Sequence, residues 1–113
     1  MDFVKMEGLD NDFVVVDGPV DLEPETIERW CARRTGVGAD GVLAVTPLDR
    51  TRVRMRYWNA DGGEVEMCGN GLRCVALLAY RRDWVSGSTF IVQSAVGDHP
   101  VEVLDADTVR AFV

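Results

Sequence analysis

Residues 59–74 constrain this chain more than any other segment of it. A polar, glycine-rich turn leads to Cys68, which is followed by Gly-Asn-Gly and then by a stretch with helical periodicity. This order predicts a thiol directly before a helix start, where backbone N–H groups lack intrahelical partners and bind carboxylates or phosphates. The same field favours thiolate, the reactive form of cysteine. The segment therefore indicates a site that holds an anion beside a base or nucleophile, against the alternative of a buried structural cysteine.

Length and charge narrow the classes of function. The chain has 113 residues, which suits one domain spanning 1–113. Its formal net charge of −7 argues against nucleic acid and against an anionic membrane surface as partners. The N-terminal residues lack the apolar core of a signal peptide, and no stretch approaches the roughly 18 apolar residues of a membrane span. A cytoplasmic location is the default expectation.

The cysteines and the histidine argue against a metal site. Cys68 and Cys74 are separated by five residues, more than zinc-binding pairs usually have, and His99 is the only histidine of the sequence. Cys31 lies on the apolar stripe of a predicted helix, and Cys74 lies within another. We expect both to pack in the core, and we expect no metal ion.

Periodicity predicts a small unit of strands and two helices. The first helix is expected over 24–34, with Gly36 as its stop, and the second over 72–84, ended by Ser86-Gly87-Ser88. The predicted strands are 13–16, 41–45 (ended by Thr46-Pro47), 52–58, 90–92, 101–104 and 108–113.

Two patterns resemble binding motifs without the right context. Arg52, Arg54 and Arg56 alternate with apolar residues, which predicts the solvated face of a strand rather than a nucleic-acid patch. Residues 36–41 satisfy G-x-G-x-x-G, but here a helix precedes and a strand follows, the reverse of a dinucleotide-binding unit. We interpret these glycines as part of a helix-to-strand turn.

Three blocks together resemble the N-terminal half of diaminopimelate epimerase. They are KMEGLDNDFV at 5–14, RTGVGADG at 34–41 and NADGGEVEMCGNGLRC at 59–74, and they occur in the family's order and spacing. The resemblance implies an α+β fold in which a curved, mostly antiparallel sheet wraps around a central helix, for which we select 72–84.

The resemblance also implies a mechanism. Members of this family interconvert LL- and meso-diaminopimelate, in lysine biosynthesis, without pyridoxal phosphate or another cofactor. Two cysteines face the α-carbon from opposite sides, and one removes the proton while the other delivers one. Carried over to this sequence, Cys68 is a catalytic cysteine. Asn11, Asn59, Gly69 and Asn70 bind the amino-acid substrate, while Asp61 and Gly62 shape a loop.

Several positions depart from the family's pattern. Glu7 stands where the family often has histidine, and Asp10 stands where it usually has glycine. Gly63 replaces the serine that usually follows the Asp-Gly pair. Gly41 offers no side chain where some members have a polar one. The family's second cysteine lies in a second domain, for which these 113 residues have no counterpart.

Three interpretations stay open. The chain is part of an epimerase that needs a separate C-terminal half, or a homodimer that sets two copies of Cys68 against each other, or a non-catalytic carboxylate-binding module. Proline racemases and phenazine-type isomerases are weaker alternatives for the family.

Overall fold

The computed structural model describes residues 3–7, 12–66, 69–105 and 108–111, with Lys5 the one described side chain of the first range. The helices are α1 (Pro24–Cys31) and α2 (Gly69–Arg81). The strands are β1 (Phe3–Glu7), β2 (Asp12–Asp17), β3 (Gly41–Asp49), β4 (Arg52–Asn59), β5 (Glu64–Val65), β6 (Thr89–Ser94), β7 (Gly97–Val103) and β8 (Val109–Ala111). Neither described helix is long and apolar enough to cross a membrane.

All eight described strands belong to one sheet. Its order is β1-β2-β3-β4-β6-β7-β8, and β5 pairs with β4 beside β6. Five of the seven pairings are antiparallel, while β2–β3 and β4–β6 are parallel. The sheet curls around α2, which contacts β3, β4, β6, β7 and β8. This confirms the α+β class and the curved, mostly antiparallel sheet around a central helix.

The central strands are buried on both faces. Along β2, Phe13 and Val15 pack into the cluster that contains the α2 stripe, whereas Val14 and Val16 pack into a second cluster with Ile27 of α1. Alternation along a strand sends successive side chains to opposite faces, so an uninterrupted apolar run fits a strand covered by a helix on each side. The wholly apolar 13–16 run is explained in this way.

The helix α2 begins and ends three residues earlier than predicted. It ends where Asp83 adopts a positive φ of 56° and the Trp84 N–H donates to the Ala79 carbonyl at 3.0 Å. A left-handed residue after the last turn is a common helix stop. The local backbone at Asp83, rather than the Ser86-Gly87-Ser88 segment, therefore ends this helix.

The prediction for α1 is also too long. The helix ends at Cys31, because Ala32 adopts an extended backbone and Arg33 begins the turn that leads to β3. Gly36 lies in this turn, where its N–H donates to the Ala32 carbonyl at 3.0 Å. A helix precedes residues 36–41 and β3 follows them, as expected of a helix-to-strand turn.

The strands differ from prediction mainly at their ends. β3 runs through Thr46 and Pro47, because a register shift between Pro47 and Asp49 accommodates the proline. β8 is Val109–Ala111 of the predicted 108–113, of which Phe112 and Val113 lie outside the described residues. β1 was not predicted at all, and it pairs with β2 from Phe3↔Val16 to Glu7↔Asp12.

Candidate active site

The structure describes three of the five residues that the sequence singled out. Asn59 ends β4, and Gly69 and Asn70 begin α2. Cys68 and Asn11 lie outside the described residues, so their roles stay predictions.

The start of α2 favours an anion. Gly69 is exposed, and a Cβ added there would meet no atom of the described residues within 4 Å. The first turn contains no acidic residue, so no carboxylate of its own opposes the positive end of the helix dipole. The half-buried Asn70 accepts a hydrogen bond on Oδ1 from Arg73 Nη1 at 3.4 Å. This end of the helix is suited to a substrate carboxylate.

The helix is held in the core by its apolar stripe, which leaves little freedom to its first turn. Leu72, Val75, Ala76 and Ala79 have no exposed surface. Burial of a side chain such as Leu72 contributes about 2 kcal/mol relative to its exposure. The residues after Cys68 in the chain are thus placed by packing.

A tight turn holds Asn59. The Asn59 N–H donates to the Gly63 carbonyl at 2.9 Å, and the Gly62 N–H donates to the Asn59 carbonyl at 2.9 Å. The Gly63 N–H donates to Asp61 Oδ1 at 2.8 Å. These bonds confirm that Asp61 and Gly62 shape the loop.

The turn requires a residue without a side chain at position 62. The φ of Gly62 is +90°, and an added Cβ would lie 2.6 Å from the Cβ of Pro24, the first residue of α1. The turn therefore packs against the start of α1, and the two elements fix each other.

Tyr57 orients the amide of Asn59. The Tyr57 hydroxyl donates to Asn59 Oδ1 at 2.9 Å. Because the carbonyl side of the amide is engaged, the exposed Asn59 offers its Nδ2 donors, and none of the described residues accepts from them. The site gains a donor suited to a carboxylate.

Gly41 makes room for Tyr57. It pairs with Asn59 in the β3–β4 register, and an added Cβ would lie 2.5 Å from Tyr57 Cε1. The departure noted at Gly41 is thereby explained, because the tyrosine ring occupies that space.

A group that we call the loop junction, composed of Asp12, Arg33 and Asp40, lies where β2 and β3 begin. Arg33 donates from Nη1 to Asp12 Oδ2 at 2.9 Å, and from Nη2 to Asp12 Oδ1 and to Asp40 Oδ1, both at 3.1 Å. The Lys5 ammonium lies 3.4 Å from Asp12 Oδ2. The hydrogen bonds from Arg33 are the main cause that holds the pKa of Asp12 well below its usual range.

A cleft of about 310 Å³ runs along β4 in the gap between β5 and β6. Its wall includes Tyr57 and the segment Glu64, Val65 and Glu66 that leads toward Cys68 in the chain. Arg54 and Arg56 lie in the same wall, where Glu64 and Glu66 balance their charge. The cleft thus adjoins the turn that holds Asn59.

The other two cysteines are enclosed in the core. Cys31 is 5% exposed and Cys74 is 2% exposed, which confirms that both pack, on opposite sides of the sheet. Burial raises the pKa of the Cys31 thiol. Within the described part of the chain, no cluster of histidine, cysteine and acidic side chains is arranged to hold a metal ion.

No pattern in the sequence predicted a role for Tyr57, Arg33, Asp12 or Asp40 in the site. A signal existed for Tyr57, because the alternation along β4 puts it on the face opposite the three arginines. It also lies two residues before Asn59, on the same face of the strand. Asp12 and Asp40 lie inside the recognised blocks, but nothing local links them across 28 residues.

Comparison with known proteins identifies the family. The family model described as diaminopimelate epimerase matches residues 3–111. A diaminopimelate epimerase of Desulforudis audaxviator is 45% identical, with coverage of 97% of this chain and 42% of that protein. A diaminopimelate epimerase of Moorella thermoacetica is 47% identical, with coverage of 86% of this chain and 36% of that protein. The chain thus spans about two fifths of the length of these relatives.

Solved structures share the fold. A phenazine biosynthesis protein of the PhzF family from Enterococcus faecalis aligns with a TM-score of 0.69 at 12% identity, covering 91% of this chain and 40% of that one. The PhzF-family protein of Bacillus anthracis aligns with a TM-score of 0.60 at 18% identity, covering 96% and 37%. Identity this low shows the architecture alone, whereas the family match covers nearly every residue. The chain belongs to the diaminopimelate epimerase family.

Proposed function

We propose that this chain supplies one half of the catalytic site of a cofactor-independent epimerase that interconverts LL- and meso-diaminopimelate. Cys68 is one of its two acid/base residues. Asn11, Asn59, Gly69 and Asn70 hold the substrate. The observation that carries the proposal is that α2 starts at Gly69, directly after Cys68 in the chain. Gly69 is exposed, so an anionic ligand can reach this end of the helix.

The reaction inverts the configuration at one α-carbon, so substrate and product have the same composition. A thiolate on one side takes the α-proton, and the electron pair of the broken C–H bond passes to the substrate carboxylate. A thiol on the opposite side then gives its proton to the α-carbon. Each turnover exchanges the protonation states of the two sulfur atoms.

Two of the described groups are suited to stabilise the negative charge that develops on the substrate carboxylate. The helix start stabilises an anion, and the Nδ2 of Asn59 is a preset hydrogen-bond donor. Donors of this kind, when aimed at developing charge, contribute about 3 kcal/mol each to catalysis.

The opposing thiol comes from outside these 113 residues in this proposal. The sequence holds three cysteines, and Cys31 and Cys74 are enclosed in the core. The partner is therefore a second domain of the epimerase type, or a second copy of this chain that brings its own Cys68.

The test is exchange of the α-proton of LL- and meso-diaminopimelate in D2O, followed by NMR. It compares the wild type with Cys68→Ala and with the matched control Cys74→Ala. We expect exchange that needs Cys68, either with the chain alone or after addition of a separately made second half from a relative. Exchange that survives Cys68→Ala, or no exchange under either condition, would contradict the proposal.

Addition of the second half also separates the interpretations. Activity that appears only with that half indicates a divided catalytic site. Activity of the chain alone that rises with the square of its concentration indicates two copies acting together. Binding of diaminopimelate without exchange under any condition would indicate a carboxylate-binding module.

A further inference from the structure

The loop junction brings two carboxylates close together, and each accepts a hydrogen bond from the backbone N–H of the other residue. Asp12 Oδ1 accepts from the Asp40 N–H at 3.2 Å, and Asp40 Oδ2 accepts from the Asp12 N–H at 3.0 Å. Two carboxylates held this close repel each other unless a cation lies between them. Arg33 provides that cation, and its planar guanidinium reaches both carboxylates at once.

The backbone of Asp40 connects the loop junction to the turn that holds Asn59. The Asp40 N–H also donates to the Asp12 carbonyl at 2.9 Å, and the Asp40 carbonyl accepts from the Ala60 N–H at 3.1 Å. Ala60 follows Asn59 directly in the chain. A displacement of Asp40 would therefore displace the turn.

The second proposed substrate asparagine, Asn11, is adjacent in the chain to Asp12 of the loop junction. Asp12 follows Asn11 in the chain and is the first residue of β2. Arg33 thus contacts the residue next to Asn11 and, through Asp40, the residue next to Asn59.

We infer that Arg33 is a positioning residue for the substrate site, which holds the backbone beside Asn59 and beside Asn11 in place for substrate binding. The inference rests on the proposed function, since that function gives these asparagines a ligand. Arg33 itself contacts no substrate in this arrangement. It acts through Asp12 and Asp40, and small displacements of a binding group weaken a site strongly.

The experiment compares wild type with Arg33→Gln and Arg33→Lys, using NMR. Lysine keeps the charge but cannot donate to both carboxylates in the fork geometry. The matched control is Arg82→Lys, because Arg82 donates to Asp17 at 2.8 Å at the opposite end of β2. Three quantities are measured: the Asn59 side-chain NH2 shifts, the hydrogen exchange of the Ala60 amide, and the dissociation constant of meso-diaminopimelate.

We expect Arg33→Gln to shift the Asn59 NH2 resonances, to speed exchange at Ala60 about tenfold, and to weaken binding about tenfold, the effect of losing one hydrogen bond to the ligand. Arg33→Lys should give intermediate values, and Arg82→Lys should match wild type. If Arg33→Gln does not fold, Arg33→Lys carries the test.

Unchanged Asn59 and Ala60 signals in a folded Arg33 variant would overturn the inference. Equal effects in Arg82→Lys would also overturn it, because they would reflect general loss of stability. Absence of diaminopimelate binding by wild type, alone and with the second half, would instead overturn the proposed function. The Asn59 and Ala60 signals would then still decide whether Arg33 positions this turn.

Discussion

Two regions of this molecule join arginines to carboxylates at similar distances, yet they connect different parts of the backbone. The first is the loop junction, and the second is the arginine row, which we define as Arg52, Arg54 and Arg56 of β4. In the arginine row, Arg52 donates to Asp98 at 2.6 Å and Arg56 Nε donates to Glu64 at 2.9 Å. These contacts cross between elements of one sheet, which backbone pairing already connects.

The loop junction lies just before the β2–β3 ladder instead. Parallel pairing of β2 with β3 begins at Phe13↔Gly41, one residue after Asp12 and Asp40. At this point the side chains of Asp12, Arg33 and Asp40 add to the single backbone bond from the Asp40 N–H to the Asp12 carbonyl. The importance of an ion pair for a site therefore depends on the backbone that it connects, since exposed pairs alone contribute little to stability.

The largest effect is expected where the turn beside the loop junction is forced to move. Gly62→Ala should destabilise the protein by about 3 kcal/mol, because it combines a left-handed backbone with overlap against Pro24. The control is Gly87→Ala, whose added Cβ meets nothing within 4 Å in the described part of the chain, and it should change the free energy of unfolding by less than about 0.5 kcal/mol. Urea unfolding measures both, and a Gly62→Ala protein as stable as the control would refute the packing of this turn.

Acid titration gives the next effect and separates the two regions. Arg33 lowers the pKa of Asp12, and Arg52 lowers the pKa of Asp98. A carboxylate whose pKa is lower when folded stabilises the fold above its unfolded pKa, and this stability is lost as pH falls through the folded pKa. Arg33→Gln should therefore raise the pKa of Asp12, leave that of Asp98 unchanged, and flatten the loss of stability below about pH 4.

The reciprocal variant Arg52→Gln should raise the pKa of Asp98 alone. It should leave the Asn59 NH2 resonances in place, unlike Arg33→Gln. An NMR titration of the carboxyl carbons measures both values. If either variant shifted the pKa values of both Asp12 and Asp98, the two regions would be one electrostatic unit, which would contradict their separation.

The smallest effects are expected within the arginine row. Arg56 contacts Glu64, Asp21 and the Val20 carbonyl, and its guanidinium carbon lies 4.8 Å from the Trp58 ring centroid. Arg56→Ala should cost about 1 kcal/mol, at the upper end for a partly exposed network. Arg54, which is exposed and bonds Gln93, should cost less than about 0.5 kcal/mol as Arg54→Ala. Thermal unfolding ranks the two, and the opposite order would contradict this description.

Local patterns predicted the features that depend on local physics. The alternation along β4 predicted a solvated arginine face, and Arg54 is exposed while Met55 is buried in the core. The helical stripes predicted that Cys31 and Cys74 pack. In each case the periodicity of apolar residues alone decides which side chains face the core.

The contacts around the candidate site depend on residues far apart in the sequence. Asp12 meets Asp40 across 28 residues and Arg33 across 21. No periodicity encodes such pairs, and the curved, mostly antiparallel sheet around a central helix was predicted from family resemblance, without a strand order. The C-terminal end of α2 was missed for a different reason, because the positive φ of Asp83 has no clear signal in sequence.

The proposed role of Cys68, an acid/base thiol one residue before α2 in the chain, is tested by the alkylation rate of each cysteine against pH, followed by mass spectrometry. The predicted result is that Cys68 reacts first, with an apparent pKa below the ordinary value of about 8.5, while Cys31 and Cys74 stay protected in the folded protein. A Cys68 that reacts no faster than Cys31, or that titrates at or above the ordinary value, would contradict the account.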